Sequence, residues 1–318
     1  MALSENNFVK IILIYFVLAL IILFSASFSQ PQAPIPVFAS ILLLIPIYIW
    51  HENYSRKEKL SKEVNRRDME TTLLWIAALF ILALSVRVPS ALLFDMPYEK
   101  TPLIYLVILT IVLIEKTDIS AFGFKTKNIE KSLLQGFAFF TILEGTTLLC
   151  ANLLTFAFTN QMLIASYSIA SFLFAMPFQT LCVGLSEEGL FRGYMQTHLR
   201  KFYTPNKAIF IQAAFFGLWH FVWNLSPFDP IGMTQYIAIT FLIGLIFGYF
   251  YVKCKNLVPL VFAHGFYNSF VGGIIQNEAA LNALQTIPFA SQIFALLLPY
   301  TVSAVATFLF VKYSAKEI

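Results

Sequence analysis

The segment Ser186-Glu187-Glu188-Gly189-Leu190-Phe191-Arg192 places two adjacent carboxylates and a guanidinium inside an apolar run at about 168–197. A charged residue at the centre of a spanning helix costs about 2.5–3.5 kcal/mol on insertion scales, so three within six positions need a chemical reason. At about 100° per residue, Glu188 and Arg192 share a helix face and can pair, while Glu187 points to an adjacent sector. One acid held and one left over is a pattern for acid–base work, and the leftover acid needs partners. Two later apolar runs supply them. One contains Phe216-Gly217-Leu218-Trp219-His220, and the other His264-Gly265-Phe266-Tyr267-Asn268, where His264 and Asn268 share a face. Taken singly, an intramembrane histidine is as readily a packing residue bonded to a neighbouring carbonyl. Of the four histidines in the chain, however, two lie in such runs, each one helical turn from another polar or aromatic marker.

The elements that position these groups follow from composition. Of 318 residues, 58% are hydrophobic and 12% charged, against about 25% charged in soluble domains. The expectation is an all-α polytopic membrane helical bundle whose partners are membrane lipids and not nucleic acid. Apolar runs at about 9–29, 34–50, 72–94, 101–115, 133–158, 168–197, 206–226, 234–252, 257–276 and 288–311 predict about ten transmembrane helices. The runs at 34–50 and 101–115 are short for a hydrocarbon core of about 30 Å. No repeat or linker divides the chain, so 1–318 reads as a single integral membrane domain. Within it, 1–132 holds N-terminal helices of unassigned role, and 133–318 a catalytic helical core with its motifs in 168–275. With a cytoplasmic N-terminus, 18 of the 21 Lys and Arg residues fall in inside segments and only Lys100 outside; Arg87 and Arg192 lie within spans. That asymmetry predicts both termini in the cytoplasm and a multi-pass protein of the cell membrane.

Counting from the basic markers, Glu187 is 13 residues from Arg200, His220 is 13 from Lys207, and His264 is 9 from Lys255. At 1.5 Å per residue these are depths of roughly 20, 20 and 14 Å, so three antiparallel helices can bring the groups to one level. Gly184, Gly189, Gly193, Gly265, Gly272 and Gly273 are expected to let helices approach in that layer. Cys150, Cys182 and Cys254 have no paired spacing; Cys182, five residues before Glu187, reads as packing and not as a nucleophile. Arg87 reads as snorkelling or paired, Glu144 as a cap or cavity residue, and His51 and His198 as interfacial.

Glu187-Glu188-x-x-x-Arg192, Phe216-x-x-x-His220 and His264-x-x-x-Asn268, in order and in separate runs, resemble the signature of the CaaX prenyl protease and bacteriocin-processing (Abi) family, which includes the type II CaaX prenyl endopeptidases. The resemblance covers about 168–275 and departs at no signature position. It implies a helical intramembrane glutamate-dependent endopeptidase whose active-site cavity opens towards the cytoplasmic side and to lipid. Its substrate would be a membrane-associated peptide or protein, prenylated or not. In that reading Glu187 with His220 activates a water, His264 and Asn268 stabilise the oxyanion, and Arg192 holds Glu188. Zinc is the alternative, bound by Glu187, Glu188, His220 and His264, although the compact His-Glu-x-x-His spacing is missing. Two other function classes stay in view: a catalytically silent scaffold or bacteriocin-immunity protein, and a proton-coupled transporter with these side chains as its relay.

Overall fold

In the computed structural model, which describes residues 2–27, 34–65, 67–96 and 98–317, every apolar run contributes a helix. The helices are α1 (Ala2–Ser27), α2 (Pro34–Lys57), α3 (Met69–Phe94), α4 (Lys100–Ile114), α5 (Ile129–Thr159), α6 (Ile169–Leu199), α7 (Pro205–Trp219), α8 (Pro230–Cys254), α9 (Val258–Gly272), α10 (Glu278–Thr286) and α11 (Phe289–Tyr313). Local chemistry sets several starts. Asp68, Thr204 and Asp229 cap α3, α7 and α8 by accepting backbone N–H bonds, and proline follows at once in the last two.

Among the described residues, seven helices are long and apolar enough to cross a membrane: α1, α2, α3, α5, α6, α8 and α11. The all-α polytopic bundle is thus the observed architecture. The predicted short run at 34–50 continues to Lys57 and reaches spanning length. The other three runs fold as shorter helices. At 15 residues, α7 and α9 are only about 22 Å long, and α4 is buried along its whole first ten residues. A helix that is apolar all round belongs inside a bundle, and α4 behaves that way.

Two hydrophobic cores flank α6. One joins α1, α3, α4, α6 and α7 through residues such as Tyr15, Phe80, Leu106, Phe191 and Trp219. The other joins α5, α8, α9 and α11 through Phe139, Phe250, Leu260 and Val311. Leu185 on α6 packs against both, so the acidic motif sits on the seam between them. A short antiparallel pair, β1 (Ile164–Tyr167) with β2 (Ile274–Gln276), ties the start of α6 to the end of α9. The apolar run at 257–276 hides β2, because a few β-branched residues after a helix carry no period of their own.

Candidate active site

The acidic motif occupies an unusual stretch of helix. Leu185–Glu188 is a single α turn between two wider π-helical stretches, Gln179–Gly184 and Gly189–Gln196. π-Helical turns are uncommon and concentrate at functional sites. They also change the rotational phase of a helix, which matters where two neighbouring acids must face different partners. Close approach of α9 is secured by two glycines. A Cβ on Gly265 would lie 2.3 Å from the Thr180 Cα, and one on Gly184 would lie 2.6 Å from the Val261 carbonyl oxygen. Gly189 and Gly193 abut Phe124 and Leu257, and Gly273 abuts Tyr167. Gly272, by contrast, meets nothing within 4 Å and plays no part in the contact.

Glu188 is committed. Its Oε1 accepts from Arg192 Nη1 at 3.0 Å and lies 2.6 Å from His264 Nδ1. The Arg192 guanidinium stacks over Phe216 at 4.1 Å, and its Nη2 donates to the Gly244 carbonyl at 3.4 Å. The predicted i, i+4 pair therefore forms, fully buried, and also orients an imidazole from another helix.

Glu187 is divided between its two oxygens. Oε1 accepts from Lys100 Nζ, and from Trp219 Nε1 at 3.0 Å. Oε2 has no hydrogen-bond partner and is buried. It lies 3.9 Å from His220 Nε2 and 3.7 Å from His264 Nε2. His220 Nδ1 is 2.8 Å from the Phe216 carbonyl oxygen. A carbonyl only accepts, so Nδ1 carries the proton and the Nε2 of neutral His220 presents a lone pair towards Glu187. Beside these groups lies a cavity of about 100 Å³ lined by His220, His264, Asn268, Phe216, Phe247 and tyrosines 236, 267 and 300. Asn268 donates its Nδ2 to Gln179 Oε1 at 3.1 Å, which holds the amide at the cavity wall. All seven motif residues are thus gathered in one sheltered place.

Three members of the cluster were not in the sequence-based set. Lys100, expected in an outside loop, is buried and bonds both Glu187 and Glu99, the latter at 2.9 Å. Arg87, expected to snorkel or pair, is paired: Nη1 reaches Glu99 Oε1 at 2.6 Å and stands 4.0 Å from Glu187, while Nε donates to the Trp219 carbonyl at 3.0 Å. The correction for Lys100 has a simple cause. Its position in the chain resembles a loop end, but two buried carboxylates attract its ammonium inward. The only available signal was Glu99-Lys100 preceding an apolar run with Arg87 near it, and that pattern has no fixed spacing. His198 also departs from its interfacial reading: it is buried with Nε2 at 3.1 Å from Glu115 Oε2, beside Tyr194. Glu144 and Cys182 are buried, and Cys182 contacts the Thr101 hydroxyl.

The donor set fits zinc poorly. Glu188 turns its bonded oxygen to Arg192 and to the Nδ1 of His264, and so does not join Glu187, His220 and His264 as a fourth ligand. A dication beside Glu187 would also face Lys100 and Arg87. Among the described residues, no group of three or more His, Cys, Asp or Glu side chains is arranged to hold a metal ion.

Comparison with curated proteins returns no match. Residues 169–270, which hold all seven motif positions, match the model of the family described as Type II CAAX prenyl endopeptidase Rce1-like, a family of CAAX-type membrane endopeptidases.

Proposed function

We propose that the protein is an intramembrane endopeptidase in which Glu187 and His220 activate a water for attack on a membrane-associated peptide. The observation that carries this reading is the second oxygen of Glu187. It is buried, unbonded, and 3.7–3.9 Å from two imidazole Nε2 atoms at the wall of a cavity. One water within about 2.8 Å of Oε2 and of an imidazole nitrogen closes such a gap.

The water gives a proton to Glu187 Oε2 while its oxygen attacks the scissile carbonyl carbon. His264, as an imidazolium whose Nδ1–H donates to the Glu188 carboxylate, presents Nε2–H to the resulting oxyanion, and the Asn268 amide assists from the same helix face. The proton on Glu187 passes to the amide nitrogen, the C–N bond breaks, and Glu187 returns to a carboxylate. The products are one new carboxylate and one amine. No metal enters the scheme. The excess of basic residues in alternate connecting segments supports a cytoplasmic location for both termini, and the family resemblance supports access to the cavity from that side. The tyrosines and phenylalanines of the cavity suit a peptide carrying an apolar group, with a prenylated CaaX terminus as one form.

The test is cleavage of a panel of prenylated and unprenylated reporter peptides in lipid by purified protein, wild type beside Glu187→Gln. Wild type is expected to cut at least one class, and the folded variant none. Failure of both classes under all lipid conditions rejects the endopeptidase. Activity is expected to survive strong chelation; a loss that zinc restores would replace the metal-free scheme. A scaffold would keep its phenotype in Glu187→Gln, whereas a transporter would instead show altered pH-dependent uptake.

A further inference from the structure

We propose that Lys100 is the positioning residue of Glu187: it supplies the buried counter-charge and fixes which carboxylate oxygen faces the imidazoles, so the N-terminal helices complete the active site. For its activity readout the proposal rests on the peptidase reading; for its charge readout it does not.

The lysine and arginine side chains buried at the motif pair one for one with its glutamates. Arg87, Lys100 and Arg192 are the cations, and Glu99, Glu187 and Glu188 the carboxylates. Glu188 has Arg192, and Glu99 has Arg87 at 2.6 Å. Lys100 is the remaining cation and Glu187 the remaining acid. Arg87 stands 4.0 Å from Glu187 and makes its hydrogen bonds to Glu99 and to the Trp219 carbonyl instead. The charged and titratable groups facing Glu187 are therefore Lys100 on α4, Arg87 on α3, His220 on α7 and His264 on α9, with Arg192 of α6 and Tyr236 of α8 further off.

Geometry gives Lys100 its second effect. Its ammonium and the Trp219 indole N–H both occupy Oε1. A carboxylate anchored through one oxygen by two donors can turn little about its last torsion, so Oε2 is left towards His220 and His264. Glu99 in turn anchors Lys100 at 2.9 Å, and the Arg87 Nε bond to the Trp219 carbonyl ties the second donor to the same network. This contact gives α3 and α4 a defined task.

Lys100→Met and Lys100→Arg test it by two independent readings. A buried carboxylate that loses its counter-charge takes up a proton. Infrared difference spectra against wild type at neutral pH should show an additional protonated-carboxyl band in Lys100→Met that disappears in Lys100→Met/Glu187→Gln and is missing in Lys100→Arg. In peptide cleavage, kcat should fall at least tenfold in Lys100→Met with KM little changed, recover as pH is raised, and largely return in Lys100→Arg. Lys100→Gln, which keeps a donor for Oε1 without the charge, takes the place of Lys100→Met if that variant does not fold. No new band and a wild-type pH profile in the uncharged variant overturn the proposal. If wild type cuts no peptide, the endopeptidase reading fails, and the infrared band still decides the role of Lys100.

Discussion

The two sides of α6 treat its adjacent acids differently. On the side of α9, Glu188 meets Arg192 and His264, and its bonded oxygen serves an ion pair inside the motif-bearing half of the chain. On the side of α3 and α4, Glu187 meets Lys100 and Trp219 through one oxygen and leaves the other towards two imidazoles. Two glutamates with one covalent structure, one residue apart, thereby acquire separate roles from their surroundings, a holding role and a reacting one. Both are buried, take two side-chain bonds on Oε1 and leave Oε2 unbonded among the described residues; what separates them is the identity of the donors and the two imidazole Nε2 atoms that stand 3.7–3.9 Å from the free oxygen of Glu187.

The sharpest way to break this comparison is to neutralise each acid in turn. Glu187→Gln should lower cleavage by about 10²–10⁴-fold, the range of a general base, yet leave a folded protein, because Lys100 keeps Glu99 as a partner. Glu188→Gln should do the reverse in emphasis. Arg192 has no other carboxylate partner among the described residues, so thermal melting in detergent should show a loss of about 3–5 kcal/mol. Equal loss of stability in the two variants would erase the distinction. Arg192→Leu should match Glu188→Gln in melting, and the double variant should be more stable than either single one, since a buried pair replaced together leaves no orphan charge.

Smaller changes sharpen it further. Gly265→Ala drives a methyl group into Thr180, which should cost about 1–3 kcal/mol by overpacking. It should also weaken cleavage by moving His264 away from Glu188. Gly272→Ala is the matched control; its surroundings are open, and melting and cleavage should stay as in wild type. The smallest effect belongs to Glu317→Gln at the surface. The Lys255 bond beside Glu317 holds its carboxyl below the usual range. A lowered acid stabilises the fold above its unfolded value and loses that contribution as pH falls through the folded one. Melting of wild type and variant should therefore converge in acid and differ barely at neutral pH, since an exposed pair contributes little.

Much of the site was legible because it is written as local repeats. Glu188 and Arg192, or His264 and Asn268, are four residues apart, and a helix converts that spacing into a shared face. The membrane setting adds contrast, because a charge in an apolar run stands out against its cost. Glu99 and Lys100 lacked both signals, and Arg87, though within an apolar run, lacked a spacing to tie it to the motif. They come from the end of one helix and the start of the next, and a lysine at a run boundary has the same appearance whether it faces water or a buried acid. His198 was misplaced for the same reason. The strand pair was hidden in continuous apolar sequence, and the π-helical winding around the motif has no sequence period to betray it.

The order of amino acids alone determined a helical membrane bundle, the run positions and the seven motif residues, because hydropathy and helical periodicity act along the chain. Only the tertiary structure decided which oxygen of Glu187 is anchored, which nitrogen of each imidazole faces it, and that the N-terminal helices provide its cation. Those outcomes depend on contacts between groups up to 87 residues apart. Electrostatic pairing in a low-dielectric interior is set by distance in space, and no spacing along the chain encodes it.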